Sequence, residues 1–414
     1  MSFGFGFGFP SVGATGTVPT LSLPFAGATT LDPRIAFTRS SSGTYIDSSG
    51  IIQTASTDVP RLDYSPTTLA PLGLLIEEQR TNLALNSGEV LSGGTGGVVV
   101  ANQITAPDGS LADFFQEDTS SIEHYAGDRV VTVTAGTTYT WSFYAKLGLT
   151  GEVRRVCVRT GSQGPASVVF DLETGSSTVI SSVVSSGISS AGNGWFRCWI
   201  VYTATGTGGA VFRQQLAKGT NTVYTGDGTS GLFFWGAQLE VGASPTSYIP
   251  TVASQVTRTA DIALMTGTNF SSWYNQTEGT FVVTARDVSN PLGVMAATDD
   301  GTSANRNSIF LAGATTAVSF RTTVASVVVS DIAVGTIVSG AAFTIAAAYK
   351  INDFAATLNG AAVVVDSLGG VPLGQTTLRI GADVANTAFI GGHLQRLTYY
   401  NTRLTNAELQ TISS

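Results

Sequence analysis

Residues 138–147 read TYTWSFYAKL, and their alternation sets the fold class. In an extended chain Tyr139, Trp141, Phe143 and Ala145 share one side, while Thr140, Ser142 and Lys146 share the other. That is the pattern of a half-buried antiparallel strand. Comparable runs flank it: VVTVT (130–134), RRVCVRT (154–160), ASVVFDLET (166–174), WFRCWIVYT (195–203), AVFRQQLA (210–217) and GLFFWGAQLEV (231–241). Each is bounded by Gly, Ser, Asn or Asp, the residues that turn a chain. Strands at this spacing across residues 88–252 predict a jelly-roll β-sandwich.

A second series follows residues 253–267, which read as a linker. TFVVTARD (280–287), SIFLAG (308–313), VSFRTTV (318–324), FTIAAAYK (343–350) and TLRIGAD (377–383) predict a second sandwich over 268–414. Its end, TRLTNAELQTISS (402–414), holds the clearest helix start. Thr405 and Glu408 form a capping-box pattern, and Leu404, Leu409 and Ile412 give an apolar face. Before the jelly roll, residues 29–87 carry short strands such as IAFTR, TYID and GLLIEE, too few for an independent core. Residues 1–28 are rich in Gly, Pro and Thr and read as an extended arm. In its opening MSFGFGFGFP, an extended backbone puts Phe3, Phe5, Phe7 and Phe9 on one side and glycines on the other. Such a strip suits insertion into a groove, or addition to a sheet edge, on another protein.

Composition supports an all-β chain and excludes several functions. Of 414 residues, 48 are glycine and only 12% are charged, about half the usual share. A surface that poor in charge fits a subunit packed against copies of itself. Net charge is −8 and no Lys/Arg run forms a nucleic-acid footprint. No apolar run approaches the roughly 18 residues of a membrane span, and the first residues lack the basic region of a secretion signal. Cys157 and Cys198 lie in strand patterns and read as buried free thiols.

No catalytic arrangement emerges. His124 and His393 have no metal-ligand spacing around them, and no GxSxG elbow is present. Glu77 and Glu78 are adjacent, so on a strand they face opposite ways and cannot flank one glycosidic bond. They are expected to pair with Arg80 or Arg39. Arg258 and Asp261 are expected to lock the linker onto the segment carrying Arg39 and Asp47. Asp299 and Asp300, in the turn-rich ATDDGTSANRN (297–307), supply the donor types calcium takes, without EF-hand spacing. No other metal or cofactor is expected. For glycan contact, Trp195, Trp273, Tyr274, His124 and Tyr125 sit at strand edges or in loops, whereas Trp141, Trp199 and Trp235 read as core.

FTR-x-Ser-x-x-Thr-Tyr (37–45), VPRLDY (59–64) and GLLIEEQRTNL (73–83), in that order, resemble a domain of tailed-bacteriophage head spikes, head fibres and tail-associated fibres. WGAQLEVGASPTSYIPT (235–251) followed by TRTAD (257–261) is similar to the close of the carbohydrate-binding-module-like jelly roll that follows it. GGHLQRLTYYNTRLTNAELQ (391–410) resembles the last strand and helix of a concanavalin or laminin-G-like sandwich. The resemblance implies a non-enzymatic virion structural protein, made in the host cytoplasm and carried on the virion surface. It also implies a homo-oligomer, often a trimer, joined to capsid, portal, adaptor or tail proteins and binding host-surface polysaccharide. A purely architectural decoration or cement protein is the alternative. A glycan depolymerase is disfavoured because internal repeats and paired acids are lacking.

Overall fold

The computed structural model describes residues 16–313, 316–338 and 340–414; Phe3, Phe5, Phe7 and Phe9 lie outside them. The chain is all-β, with two sandwiches and two short helices among the described residues.

The jelly-roll sandwich packs a six-stranded sheet against a five-stranded one. Tyr139, Trp141, Phe143 and Ala145 of the strand Thr138–Leu147 face the shared core, as their alternation predicts. Thr140, Ser142 and Tyr144 face outward, yet they too are buried. The partner strand Gly231–Val241 shifts register opposite Ser142 and Tyr144. Gly236 makes that bulge possible: its φ is +67°, and a Cβ there would lie 2.7 Å from the Tyr144 ring.

The second sandwich is not confined to the chain's last third. Its eight-stranded sheet includes Leu62–Tyr64 and Pro71–Ile76, and Leu21–Pro24 pairs with Gly392–Tyr400. Its seven-stranded sheet takes in Ala36–Thr38, paired with Ile262–Thr266. One core joins both sheets, from Leu21, Leu74 and Ile76 to Tyr349, Leu378 and Tyr399. Gly73 permits the pairing with the late strand: a Cβ there would sit 2.1 Å from the Leu394 carbonyl oxygen.

These pairings correct the expected boundaries. Residues 29–87 are not one separate unit: Ala36–Thr38, Leu62–Tyr64 and Pro71–Ile76 join the sheets of the second sandwich, while Gly43–Ile46 and Ile52–Ala55 pair with each other and Ile52 packs on Tyr144 and Trp195 of the jelly roll. Residues 1–28 overlap its strand Leu21–Pro24, and the linker 253–267 contains the strands Val256–Arg258 and Ile262–Thr266. The jelly roll is therefore an insertion within a composite sandwich. Its entry strand Arg80–Asn82 pairs with its exit strand Val256–Arg258. Asn82 fastens that gate, donating to the carbonyls of Ala237 and Ile249 and accepting from the amides of Ala84 and Leu239.

The composite sandwich has two outer faces. On the eight-stranded sheet, the helix Asn406–Ser413 covers one region, with Leu404 and Leu409 packed on Val282, Ala346 and Ala355. Thr405 and Glu408 form the predicted capping box. Elsewhere on that sheet, Asp63 and His393 meet the jelly roll across a seam. The outer face of the seven-stranded sheet carries Ala297, Ser308, Arg321 and Asp331 in one cross-strand row.

Candidate functional site

The seam gathers the sequence phrases singled out above into one buried ionic network. Arg39, Arg61, Arg258, Glu77 and Asp261 are all at most 5% exposed. Arg39 donates to Asp261 at 3.1 Å and to the Ser56 carbonyl at 2.8 Å. Arg61 donates to Asp261, to Glu77 at 2.7 Å and to Ser247 Oγ at 2.7 Å. Arg258 lies 3.2 Å from Glu77 and donates to the Glu78 carbonyl at 2.8 Å. Burial opposes the charge on Glu77, but Arg258, Arg61 and two hydrogen bonds from Ser247 outweigh it and hold the carboxyl well below the usual range. The expected lock between Arg39 and Asp261 forms. Asp47 takes no part and instead accepts from Ser49, Ile51 and Gln53 in its own turn. Glu78 pairs with Arg80 at 2.6 Å, whereas Glu77 pairs with Arg61 and Arg258 rather than Arg39.

Two cavities of about 220 and 380 Å3 lie along the seam and share Asp63, Tyr144, Arg197, Asp287 and His393 in their linings. His393 is engaged with Asp63 and Asp287, and Arg197 with neutral acceptors. His393 Nε2 is 2.8 Å from Asp63 and Nδ1 is 3.4 Å from Asp287. Burial disfavours the imidazolium, but the two carboxylates overcome it and raise the His393 pKa to about 9. Arg197 donates to Ser142 Oγ at 3.1 Å and to the Thr246 carbonyl at 2.6 Å.

A different kind of site lies on the outer face of the seven-stranded sheet. A recess of about 170 Å3 is lined by Leu292, Val294, Ala297, Arg306, Ser308, Phe310, Arg321, Asp383, Val384 and Ala388. Val294, Ala297 and Phe310 form a small apolar cluster outside the main core. Arg306, Ser308 and Phe310 are alternate residues of the strand Arg306–Leu311, so they line one face. The Arg321 guanidinium sits 4.6 Å from the Phe310 ring centroid and pairs with Asp331 at 2.7 Å. Neighbouring Arg379 pairs with Asp299 at 2.6 Å. An apolar floor with a few polar groups at its rim is the usual make-up of a small-ligand site.

The residues expected to contact sugar are not part of it. Trp195 is 2% exposed, and its Nε1 donates to the Thr105 carbonyl at 3.1 Å. Trp273 and Tyr274 lie in the core of the composite sandwich, packed on Tyr399 and Phe270. His124 is fully buried, with its ring nitrogens 2.6 and 3.0 Å from the Gly96 and Tyr224 carbonyls. Tyr125 is half-buried, and the Arg213 guanidinium lies 3.6 Å from its ring centroid. Buried rings offer no free face to a pyranose, so Trp195, Trp273, Tyr274 and His124 are corrected to structural roles in this fold, while Tyr125 stays half-buried beneath Arg213. Trp199, expected in the core, is half-buried over Gly187 at the sheet's outer face. Cys157 and Cys198 are free and buried on different sheets. The two carboxylates considered for calcium are already engaged: Asp299 holds Arg379, and Asp300 accepts from Thr302 and Asn305.

Phe310, Arg306 and Arg321 were missed as a group. Alternation in NRNSIFL carried the signal, but Arg306 reads as the tail of the loop 297–307 because Asp, Gly, Ser and Asn crowd it.

No protein-family profile matches the sequence, and no curated protein matches it. Among solved structures, the CBM40 module of the Ruminococcus gnavus IT-sialidase bound to α2,3 sialyllactose covers 35% of this chain and 88% of its own, at 14% identity and a TM-score of 0.31. The mouse laminin α1 LG4-5 domains cover 78% of this chain and 95% of their own, at 10% identity and a TM-score of 0.26. The CBM22 tandem of Paenibacillus barcinonensis Xyn10C covers 78% and 94%, at 9% identity and a TM-score of 0.24. At such distances the strand pairing, not these likenesses, defines the fold.

Proposed function

We propose that this chain is a non-catalytic glycan-binding protein whose recognition surface is the outer face of the seven-stranded sheet. The observation that carries this reading is the recess: an apolar floor of Val294, Ala297 and Phe310 beneath Arg306, Ser308 and Arg321. A sugar ring pairs one apolar face with a polar periphery, and this lining is complementary to both. A shallow single-ring contact is weak, so adhesion would rest on several copies acting together.

We further propose the setting in which that binding is used: a bacteriophage head fibre, spike or tail-fibre subunit, assembled as an oligomer, with its N-terminal residues joined to the particle. Two things support this. The phrases that resemble phage spike and fibre proteins supply Arg39, Arg61, Glu77, Arg258 and Asp261, so the resemblance rests on residues that hold the two sandwiches together. The low charge content also suits a subunit in contact with copies of itself.

The test uses purified full-length protein. Sedimentation with a panel of bacterial cells, intact and stripped of surface polysaccharide, should show binding that depends on the polysaccharide. Equal binding to stripped cells would end the glycan reading. Binding to no cells in any oligomeric state would leave the architectural decoration role. Antibody labelling of phage particles would separately place the chain on the virion or remove it from there.

A further inference from the structure

The recess has an unusual charge balance. Arg321 is answered by Asp331, with Nε at 3.1 Å and Nη2 at 2.7 Å. Asp383 is answered within its own loop, accepting from the amides of Thr387 and Ala388 at 2.7 and 2.9 Å and from the Thr387 hydroxyl at 3.1 Å. Arg379, one strand away, is answered by Asp299. The Arg306 side chain is answered by nothing: among the described residues it makes no hydrogen bond and no ion pair, and its Nε is shut off from solvent. The Nε atoms of Arg61, Arg197 and Arg258 also lack acceptors, but carboxylates meet the charge of Arg61 and Arg258, and Arg197 Nη2 donates to Ser142 Oγ and the Thr246 carbonyl. Arg396 has no ion pair either, but it is exposed and lies on the other sheet.

A half-buried guanidinium with open donors beside an apolar floor is unfinished in a specific way. Donors left unfilled near the interior are costly, so the position favours a ligand that fills them. Guanidinium presents a planar fork that matches the two oxygens of a carboxylate, and the pairing strengthens where water is thinned out. The cavity is smaller than the roughly 300–1,000 Å3 of drug-sized pockets, which suits one unit of a longer chain.

We infer that the recess binds an acidic sugar, such as a hexuronic acid within a polysaccharide, with its carboxylate on Arg306 and its ring over Val294, Ala297 and Phe310. This inference rests on the glycan-binding reading and adds the class of sugar. Sulfate esters are the other common anionic group on polysaccharides, and the experiment separates the two sources.

The full-length protein is passed over immobilised polygalacturonate, alginate and hyaluronan (carboxylates), dextran sulfate (sulfate), and dextran and galactan (neutral), at low and at physiological ionic strength. At least one carboxylate polymer should be retained above the neutral ones. R306Q should weaken that retention by about tenfold or more, and R306K should recover only part of it, because lysine keeps the charge without the fork. Methyl esterification of the polygalacturonate is the matched control if that polymer binds, and it should abolish retention. Retention of neutral polymers alone, unchanged in R306Q, would overturn the acidic-sugar inference while leaving glycan binding intact. Preference for dextran sulfate over every carboxylate would overturn the choice of carboxylate. Retention of no polymer at all would count against this inference, and the cell-sedimentation assay then shows whether glycan binding itself falls. The wild-type panel reads these outcomes even if a variant misfolds.

Discussion

The seam and the recess both hold arginines close to apolar surface, and they handle them in opposite ways. At the seam, Arg39, Arg61 and Arg258 are fully enclosed, and each meets Glu77 or Asp261. In the recess, Arg306 is only half-enclosed and meets no carboxylate. Enclosed charge that is matched by the chain itself is architecture: it fixes which strands lie together. Open charge that the chain leaves unmatched is available to another molecule. Burial alone does not separate the two cases; the presence of an internal partner does.

The contrast predicts different responses to losing one charge. Asp261→Ala strips the carboxylate shared by Arg39 and Arg61 and leaves buried cations uncompensated. Urea unfolding should show a loss of roughly 3–5 kcal/mol. R306Q should stay within about 0.5 kcal/mol of the wild type in the same assay. Equal losses in the two variants would erase the distinction.

His393 gives a pH-dependent version of the same contrast. Asp63 and Asp287 flank it, Arg286 pairs with Asp287, and Arg197 lines the same cavity. Its pKa in the folded protein is about 9, above the ordinary value of about 6.5. The group therefore contributes fully below about pH 6.5, and the contribution disappears as pH rises through 9. Stability should fall across that interval by on the order of 1–3 kcal/mol more in the wild type than in H393Q. Parallel pH profiles for the two proteins would remove His393 from the seam's energetics.

A smaller effect belongs to the helix that covers the other sheet. Thr405→Ala removes the hydroxyl that accepts from the Glu408 amide and donates to the Glu408 carboxylate, leaving only the bond from the residue 405 amide. A loss of about 1 kcal/mol is expected in urea unfolding, with no change in glycan retention. A change in retention would tie that face to recognition.

Much of the local structure was legible in the sequence, and its long-range pairing was not. Alternation in TYTWSFYAKL put Trp141 and Phe143 in the core, and Thr405 with Glu408 marked the helix start. The same alternation in GLLIEE identified a strand but could not name its partner, because a strand's pattern fixes its faces and not its neighbour. Leu74 pairs with Leu394, more than three hundred residues away in sequence. For that reason the insertion of one sandwich into the other was hidden, and residues 29–87 read as a unit of their own. The Arg39–Asp261 lock was legible because the phrases that hold its two ends occur together in the proteins the sequence resembles. The aromatic candidates failed because Trp195 and Trp273 stand at strand edges in the sequence, but other segments close over them. Arg306 was lost in a loop-like stretch, because turn residues up to Asn305 mask a strand that begins on the next residue.

Hydrogen–deuterium exchange on the full-length protein, with and without a retained polysaccharide, locates recognition most directly. Slower exchange should be confined to Val294–Asp299, Arg306–Leu311 and Ala317–Val324, the strands that carry the recess, and to residues 383–388 at its rim, while the seam strands Arg80–Asn82 and Val256–Arg258 stay unchanged. Protection on the jelly roll or along the seam, with the recess strands unaffected, would contradict the assignment of architecture to one and recognition to the other.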